Sequence, residues 1–247
     1  MCTVSWIVHD RNYRLYFNRD EQRSRPRAEF PKVQRHDGIE LIAPHDGLGG
    51  GSWIAVNQFG LTAFLLNHYA ATSSDISPSQ FRSRGELPMI MTKQNSWIRA
   101  VGILEEMDLS QFRPFYLGML TSLGGCRLFV WNGSGLEEHD AGISMITTSS
   151  FRADEVEAYR RKRYMEICGE RGCERSRENS LSFHRDLNHE DRAFNPLMSR
   201  EDAETHSISV IEVDPSRVSF SYYEDLLDKD RFTPNQVCSI ERRDGTL

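Results

Sequence analysis

The chain has 247 residues, and its 30 Lys and Arg against 36 Asp and Glu give a formal charge of -6. This balance excludes the evenly basic surface of a non-specific nucleic-acid binder, and no apolar run approaches the length of a transmembrane segment. The 5 cysteines are an odd number, and the N-terminus lacks the basic and apolar regions of a signal peptide. We therefore expect a cytoplasmic protein with free thiols, folded as one domain over residues 1–247.

The first predicted elements are two strands that form a hairpin. Cys2–Val8 and Tyr13–Phe17 are rich in β-branched and aromatic residues, and they flank the turn signal Asp10-Arg11-Asn12. Glu21–Gly51 is polar and contains several Pro and Gly residues, which predicts a long loop. A second strand pair is predicted next, over Ser52–Asn57 and Leu61–Asn67.

The middle of the chain combines one helical pattern with three extended ones. Asp75–Ser83 is a polar break, and the spacing of apolar residues over Asn95–Met107 predicts a helix. Phe115–Leu120, Arg127–Trp131 and Ile143–Thr147 are predicted to be strands.

The C-terminal part predicts helices followed by a last hairpin. Ala153–Leu187 is highly charged with scattered apolar residues, which indicates one or two amphipathic helices. Ser207–Val213 and Arg217–Tyr223 alternate as strands, and the tail after Asp228 is predicted to be irregular. Hairpins at both ends with helices between them favour an α+β fold with antiparallel sheets.

Cys2, directly after Met1, is a candidate nucleophile. Removal of Met1 would leave a cysteine that carries both a thiol and a free α-amine, whose ordinary pKa is about 8. The amine can accept the thiol proton, so that nucleophile and base share one residue. The alternative is that Cys2 is an ordinary small apolar residue near a terminus.

The second predicted strand ends in charged residues that the hairpin would bring to Cys2. With antiparallel pairing, Asn18, Arg19 and Asp20 lie at the same end of the sheet as the thiol. We expect Arg19 to lower the pKa of the thiol, and Asp20 to hydrogen-bond the α-amine or to hold Arg19. The alternative is a surface ion-pair cluster at a strand end.

Two other patterns are weaker. Gly47–Ser52 is rich in glycine, but a predicted strand follows it rather than the helix that a phosphate-binding loop requires. Cys168, Cys173, His184 and His189 superficially suggest zinc. Their spacing and their charged helical context favour solvated helix residues, and we expect no metal site.

The N-terminal residues also resemble a known family. Met1-Cys2-Thr3-Val4 followed by Asn18-Arg19-Asp20-Glu21 is similar to the NRDE family, whose animal members are called transport and Golgi organisation 2 proteins. The resemblance extends to Gly50-Gly51-Ser52-Trp53, Asn67, Ser83-Arg84-Gly85 and Ser199–Ser207, and so spans most of the chain.

This family in turn resembles N-terminal-nucleophile hydrolases, such as choloylglycine hydrolases, penicillin V acylases and isopenicillin N acyltransferases. The resemblance implies a four-layer αββα sandwich, two antiparallel sheets flanked by helices. It implies that the Cys2 thiolate attacks a carbonyl of a small acylated substrate, with a preference for C–N bonds other than peptide bonds. Neither a metal nor an organic cofactor is implied.

The resemblance also suggests roles for single residues. It implies that Cys2 is nucleophile and base and that Arg19 is the arginine of these enzymes, while Asp20 lies closer to the arginine than their aspartate does. Asn67 is a candidate oxyanion donor, the alternative being a turn residue at a strand end. Thr148 stands where choloylglycine hydrolases carry an Asn, and it is a substrate-binding candidate together with Asn18.

A non-enzymatic function is the alternative. Animal relatives are linked to haem trafficking and to the handling of lipids or acyl-CoA, and this chain would bind such a ligand in the same cleft. Cys2 would then only position or ligate it. The fate of Met1 distinguishes the two hypotheses, because the hydrolase mechanism needs a free Cys2 amine.

Overall fold

The computed structural model describes residues 1–69, 71, 81–123, 125–139, 144–169, 176–227 and 232–244. In chain order its strands are β1 (Cys2–His9), β2 (Asn12–Gln22), β3 (Glu29–His36), β4 (Ile39–His45), β5 (Ile54–Asn57), β6 (Thr62–Asn67), β7 (Phe115–Thr121), β8 (Gly125–Trp131), β9 (Leu136–His139), β10 (Met145–Thr148), β11 (Ala203–Val213), β12 (Arg217–Tyr223) and β13 (Gln236–Glu241). Its helices are α1 (Glu86–Thr92), α2 (Trp97–Glu106), the short 3₁₀ helix Leu109–Gln111, α3 (Ala153–Cys168) and α4 (Arg177–His184).

The strands form two sheets, and every pairing within them is antiparallel. Sheet A has the order β10-β1-β2-β11-β12-β13, and sheet B has the order β3-β4-β5-β6-β7-β8-β9. The predicted α+β class with antiparallel sheets is therefore confirmed.

The chain folds as four layers because both sheets are apolar on both faces. Side chains such as Val4 and Phe17 of sheet A pack against Val56 and Phe64 of sheet B in a core between the sheets. α1 and α2 cover the outer face of sheet B, and α3 and α4 cover the outer face of sheet A. Burying each apolar face against another layer is what makes this arrangement stable. It confirms the αββα sandwich that the resemblance implied.

Several predicted elements are confirmed, although the residues at which they begin and end differ from the prediction. The N-terminal hairpin is β1 and β2, whose turn contains Asp10 in a left-handed conformation at φ 51°. The pair β5 and β6, the strands β7, β8 and β10, the helix α2 and the hairpin β11–β12 all lie where the sequence predicts them. The charged segment Ala153–Leu187 contains two helices, α3 and α4.

The predicted loop over Glu21–Gly51 is wrong, because it contains the hairpin β3–β4. Asp37 and Gly38 form its turn, both with positive φ of 49° and 81°, as a tight two-residue turn requires. β3 is an edge strand whose side chains are mostly exposed. Its polar composition therefore resembles that of a loop.

The irregular tail predicted after Asp228 is also wrong, because β13 pairs with β12 at the edge of sheet A. Two further elements, α1 and the edge strand β9, were not predicted. Most of the predicted break Asp75–Ser83 lies outside the described residues.

The helical Cys and His residues differ from expectation as well. Cys168 and His184 are fully buried rather than solvated. Cys173 lies outside the described residues. Among the helices that the structure describes, none is long and apolar enough to cross a membrane.

Candidate functional site

The register of sheet A places Cys2 between Arg19 and Thr148. Cys2 is paired with Arg19 of β2 on one side and with Thr148 of β10 on the other. Directly opposed residues of an antiparallel pair project to the same face of the sheet. The face in question is the one that carries Val4 and packs against sheet B, because Cys2 contacts that core.

Cys2 and Arg19 line a cavity of about 640 Å³ at one end of the sandwich. The start of β1 and the end of β2 form one wall. The opposite wall contains Asn67 at the end of β6 and Trp53 just before β5. The cavity is large enough for a small organic molecule.

The Cys2 thiol is held in its neutral form while Met1 is attached. Its pKa is raised to about 11, mainly by burial and also by the charge of Asp20. The N-terminal ammonium of Met1, the backbone N–H of Asp20 and the charge of Arg19 all lower it, but they do not outweigh burial. Arg19 thus acts in the expected direction, but it does not make Cys2 a thiolate in this form of the chain.

Arg19 is fixed by residues that the sequence did not single out for this role. Its Nη2 donates to Asp46 Oδ2 at 2.7 Å and to Glu21 Oε2 at 3.4 Å, and its guanidinium lies 4.3 Å from the centre of the Trp53 ring. Arg25 donates to the same Asp46 oxygen at 2.9 Å. Arg19 Nη1 is buried without a hydrogen-bond partner among the described residues. Asp46 was missed because it directly follows β4, inside the stretch predicted to be a loop.

Asp20 faces the opposite side of sheet A from Arg19, as the alternation of a strand requires. Its Oδ1 accepts from Thr205 Oγ1 at 2.7 Å, and its Oδ2 pairs with Nη1 of the fully buried Arg160 at 3.4 Å. Its side chain therefore does not hold Arg19, a role that Asp46 has instead. Its backbone N–H donates to the carbonyl of Met1 at 3.2 Å, and Asp20 also lines the cavity.

The Asn18 side chain contacts the helical layer and does not line the cavity. Its Nδ2 donates to the backbone carbonyls of His184 and Pro196 at 2.8 and 2.7 Å. Its Oδ1 must then accept from His184 Nδ1, 2.8 Å away. Asn18 is fully buried and is not among the cavity-lining residues. The structure thus shows Asn18 in contacts within the fold, while its predicted role in substrate binding stays a prediction.

Asn67 lines the cavity together with Tyr69, which the sequence did not single out. Asn67 Nδ2 donates to the Tyr69 hydroxyl at 2.9 Å, and the N-terminal amine of Met1 donates to the same oxygen at 2.8 Å. The pKa of Tyr69 is raised to about 12, mainly by burial of this hydroxyl and also by a charge on Cys2. Tyr69 is therefore a protonated donor near the thiol, with its own O–H proton left to donate.

Thr148 lies beside Cys2 in the sheet, but it does not line the cavity. Its Oγ1 is buried and has no hydrogen-bond partner among the residues that the structure describes. The hydroxyl is thus free to donate next to the thiol.

Met1 forms part of the cavity wall and is only 8% exposed. Its side chain packs against Met198 and Ala203, and Ser149 Oγ donates to its sulfur at 2.9 Å. Removing Met1 would expose the Cys2 amine at the place where the Met1 carbonyl now meets the Asp20 backbone N–H.

The family-like segments far apart in sequence meet around this cavity. The backbone N–H of Ser52 donates to the carbonyl of Gly85 at 2.9 Å, and a Cβ on Gly51 would lie 2.5 Å from the same carbonyl. Only glycine permits this approach. In the Ser199–Ser207 segment, Arg200 and Asp202 line the cavity.

Residues 1–224 match the model of the family described as Transport and Golgi organisation 2. The chain belongs to this family. The NRDE resemblance is thereby confirmed over most of the sequence. No curated protein sequence matches the chain significantly.

Solved structures show the same fold at low sequence identity. Penicillin V acylase from Agrobacterium tumefaciens is 14% identical with a TM-score of 0.58, covering 97% of this chain and 86% of that one. The Caenorhabditis elegans orthologue of N-acylethanolamine-hydrolyzing acid amidase is 10% identical with a TM-score of 0.57, covering 96% and 99%. A mutant conjugated bile acid hydrolase from Clostridium perfringens is 13% identical with a TM-score of 0.54, covering 98% and 92%. The fold of this family member is thus that of N-terminal-nucleophile hydrolases.

The described residues of this family member contain no group of three His, Cys, Asp or Glu side chains placed to hold a metal ion.

Proposed function

We propose that this protein is an N-terminal-cysteine amidohydrolase or acyltransferase that acts on a non-peptide C–N bond of a small acylated substrate. The observation that carries the proposal is the position of Cys2. Cys2 is the first residue of a strand that borders a cavity of about 640 Å³, and it pairs in register with Arg19. The fold that carries it is similar to that of enzymes that hydrolyse amides.

The mechanism begins once Met1 has been removed. The free α-amine of Cys2 accepts the thiol proton, and the thiolate attacks the carbonyl carbon, so that a C–S bond forms and the carbonyl oxygen becomes negative. Asn67 Nδ2 and the Tyr69 hydroxyl, both on the cavity wall, are the proposed donors to this oxygen. The C–N bond then breaks as the nitrogen takes the proton from the α-ammonium, leaving a thioester on Cys2.

A second nucleophile completes the reaction. Water gives a proton to the α-amine and attacks the thioester carbonyl, and the C–S bond breaks to release a carboxylic acid and regenerate the thiol. An amine in place of water gives acyl transfer. In either case Arg19, clamped by Asp46 and Trp53, supplies positive charge beside the sulfur.

The state of the N-terminus should control this activity. With Met1 attached, burial keeps the pKa of the Cys2 thiol at about 11 and the residue has no free amine. At neutral pH the nucleophile is then protonated and lacks its base. Removal of Met1 places the ammonium on Cys2 itself, so we expect the pKa of the thiol to fall.

The decisive experiment compares two versions of the chain that differ only at the N-terminus. One is released from a cleavable fusion so that Cys2 is the first residue, and the other retains Met1 through a blocked N-terminus, with intact mass verifying both. We expect only the first to gain an acyl group at Cys2 from N-acyl amides and to react with iodoacetamide at mildly acidic pH. Cys126 and Cys238 are the internal reference thiols.

The matched controls are Cys2→Ala, which removes the nucleophile, and Cys2→Ser, which keeps a weaker one. Equal turnover by the chain that retains Met1, or activity in Cys2→Ala, would overturn the mechanism. So would finding that the protein isolated from its natural source still carries Met1.

The carrier hypothesis gives different results in the same assays. A protein that only carries haem or acyl-CoA would bind it equally well after Cys2→Ala and would turn over no amide in either version. Spectroscopic titration of both ligands against wild type and Cys2→Ala separates the two functions.

We also propose a single domain over residues 1–247. In support, the family match covers residues 1–224 and β13 adds a strand to the same sheet A beyond it.

A further inference from the structure

The cavity wall carries two arginines that have no acidic partner in the part of the chain that the structure describes. Arg84 precedes α1 and Arg113 precedes β7, and both line the cavity. Among the described residues, the Arg84 side chain has one hydrogen bond, from Nη1 to the carbonyl of Pro114 at 2.9 Å. Arg113 has neither a hydrogen bond nor an ion pair in that part of the chain, and its guanidinium lies 5.6 Å from the centre of the Phe81 ring.

The other arginines that line the cavity are neutralised by acids. The pairs are Arg19 with Asp46, Arg25 with Asp46, Arg82 with Glu86 and Arg200 with Asp202. Among the described arginines of this cavity, Arg84 and Arg113 therefore differ from the others in having no ion pair.

Arg84 and Arg113 line the same cavity, and their charges act on each other. Burial is the main cause that lowers the pKa of Arg84, and the charge of Arg113 lowers it as well. Negative charge on Tyr69 or on Cys2 has the opposite effect. Arg84 therefore lies within electrostatic reach of both Arg113 and the proposed nucleophile.

The backbone around Arg84 is held by close contacts. Gly85 contacts the Gly51–Ser52 backbone too closely for a side chain on Gly51, and the Arg84 carbonyl accepts from the backbone N–H of Leu87. Two like charges on the wall of one cavity, with no acidic partner among the described residues, are stabilised when an anion binds between them.

We propose that Arg84 and Arg113 bind an anionic group of the substrate, a carboxylate or a phosphate, while its acylated nitrogen lies at Cys2. This inference rests on the proposed function for the identity of the reacting bond, but not for the binding of the anion. Guanidinium groups bind both kinds of anion through paired N–H donors. The substrate class is thus an acyl amide with a negatively charged end.

Three probes that share one acyl amide test this directly. N-octanoylethanolamine is neutral, N-octanoylglycine ends in a carboxylate, and the phosphate ester of N-octanoylethanolamine ends in a phosphate. Calorimetric titration of the Cys2→Ala chain measures binding without turnover. We expect at least one anionic probe to bind about tenfold or more tighter than the neutral one, as two charge-assisted hydrogen bonds allow.

Variants of the two arginines test whether they cause the preference for anionic probes. The double variant Arg84→Gln/Arg113→Gln should lose it, whereas Arg82→Gln is the matched control, because Arg82 lines the same cavity but is paired with Glu86. If the double variant fails to fold, Arg113→Gln alone and the charge-conserving Arg84→Lys replace it. Arg113→Gln should weaken the preference, and Arg84→Lys should retain most of it.

Each outcome decides the inference. Preference for the carboxylate or for the phosphate, lost in the Arg84 and Arg113 variants, supports it and identifies the anion. Equal binding of all three probes, or a preference that survives in the double variant, overturns it. Anion preference with no turnover in the chain that begins at Cys2 would refute the proposed function alone, and turnover without preference would refute only the inference.

Discussion

At the residue scale, successive side chains of β2 point to opposite faces of sheet A, and this places Arg19 and Asp20 in different surroundings. Arg19 faces Cys2 and the cavity, whereas Asp20, one position later, faces α3 and meets Arg160. The Asp20 and Arg160 side chains are fully buried, and both also bond to hydroxyl groups, Thr205 to the acid and Thr3 to the base. The strand end that carries the proposed site thus rests on a buried ion pair.

This pair yields a prediction for stability. Arg160→Met leaves the Asp20 carboxylate buried without a counter-charge, so we expect it to lower the free energy of unfolding by about 3–5 kcal/mol. Asp20→Asn/Arg160→Met, which removes both charges, should recover most of this loss. Urea unfolding followed by circular dichroism measures both.

The exposed pair Lys162 and Glu166 on the same helix provides the control. Lys162→Met should change stability little, because exposed ion pairs contribute little. An Arg160→Met protein as stable as wild type, or a double variant no more stable than the single one, would contradict the assignment.

At the scale of the elements, a glycine sets the packing between the two sheets. Gly118 of β7 lies opposite Phe64 of β6, and a Cβ there would lie 2.0 Å from the Phe64 ring. The ring lies across β7 and reaches Trp6 of sheet A at 5.9 Å between ring centres. A glycine inside a strand ordinarily weakens it, but here it makes room for an aromatic contact between the sheets.

We therefore expect Gly118→Ala to destabilise the protein by about 1–3 kcal/mol, because the new methyl group forces the Phe64 ring from its place. Combined with Phe64→Leu, the same change should cost less than the sum of the two single costs. Thermal unfolding of the four proteins gives this coupling.

Gly102→Ala in α2 is the matched control, because nothing lies within 4 Å of a Cβ at that position. It should be neutral or stabilising by up to about 1 kcal/mol, since alanine is the better helix former. If Gly118→Ala were as well tolerated as Gly102→Ala, the packing of Phe64 over β7 would be refuted.

At the scale of the whole molecule, His184 joins the helical layer to sheet A. Its Nδ1–H donates to Asn18 Oδ1 on β2 at 2.8 Å, and its Nε2 accepts from the hydroxyl of Ser5 on β1, also at 2.8 Å. Burial, and then the charge of Arg160, lower the pKa of His184 from 6.5 to about 3. The folded protein thus needs this imidazole neutral.

The consequence is acid sensitivity below neutral pH. The unfolded chain takes up a proton on His184 near pH 6.5, whereas the folded protein resists it down to about pH 3. The contribution of neutral His184 to the free energy of unfolding is therefore complete above pH 6.5, and it is lost as the pH falls toward 3. At about pH 4.5 the expected loss is about 2–3 kcal/mol.

Urea unfolding between pH 7 and 4.5 measures this loss, with His184→Gln as the non-titrating reference. We expect the stability advantage of wild type over this variant to shrink by the stated amount as the pH falls. Parallel stability curves for the two proteins would contradict the assignment, because carboxylates that titrate in both would then account for the whole effect.

The features that could be predicted from the sequence are those that depend on the pairing of neighbouring strands or on short sequence motifs. The hairpin β1–β2 and the arrival of Arg19 and Asp20 at the Cys2 end of the sheet were predictable, because a short turn joins two apolar antiparallel strands. The family resemblance supplied the four-layer fold and added Asn67 to the candidate site. Edge strands β3 and β13 were not predictable, because their exposed side chains carry no apolar alternation.

The rest of the site depends on contacts between distant segments. Asp46 holds Arg19, Arg160 neutralises Asp20, and Arg84 lines the same cavity as Arg113, and in each pair the partners are separated by 27 residues or more. No pattern of neighbouring residues reveals such contacts, because burial and charge pairing arise only when the layers pack. The sequence alone thus determined the candidate nucleophile and its neighbour on β2. Only the tertiary structure decided which charges around them are paired and which have no acidic partner among the described residues, because these contacts join segments far apart in sequence.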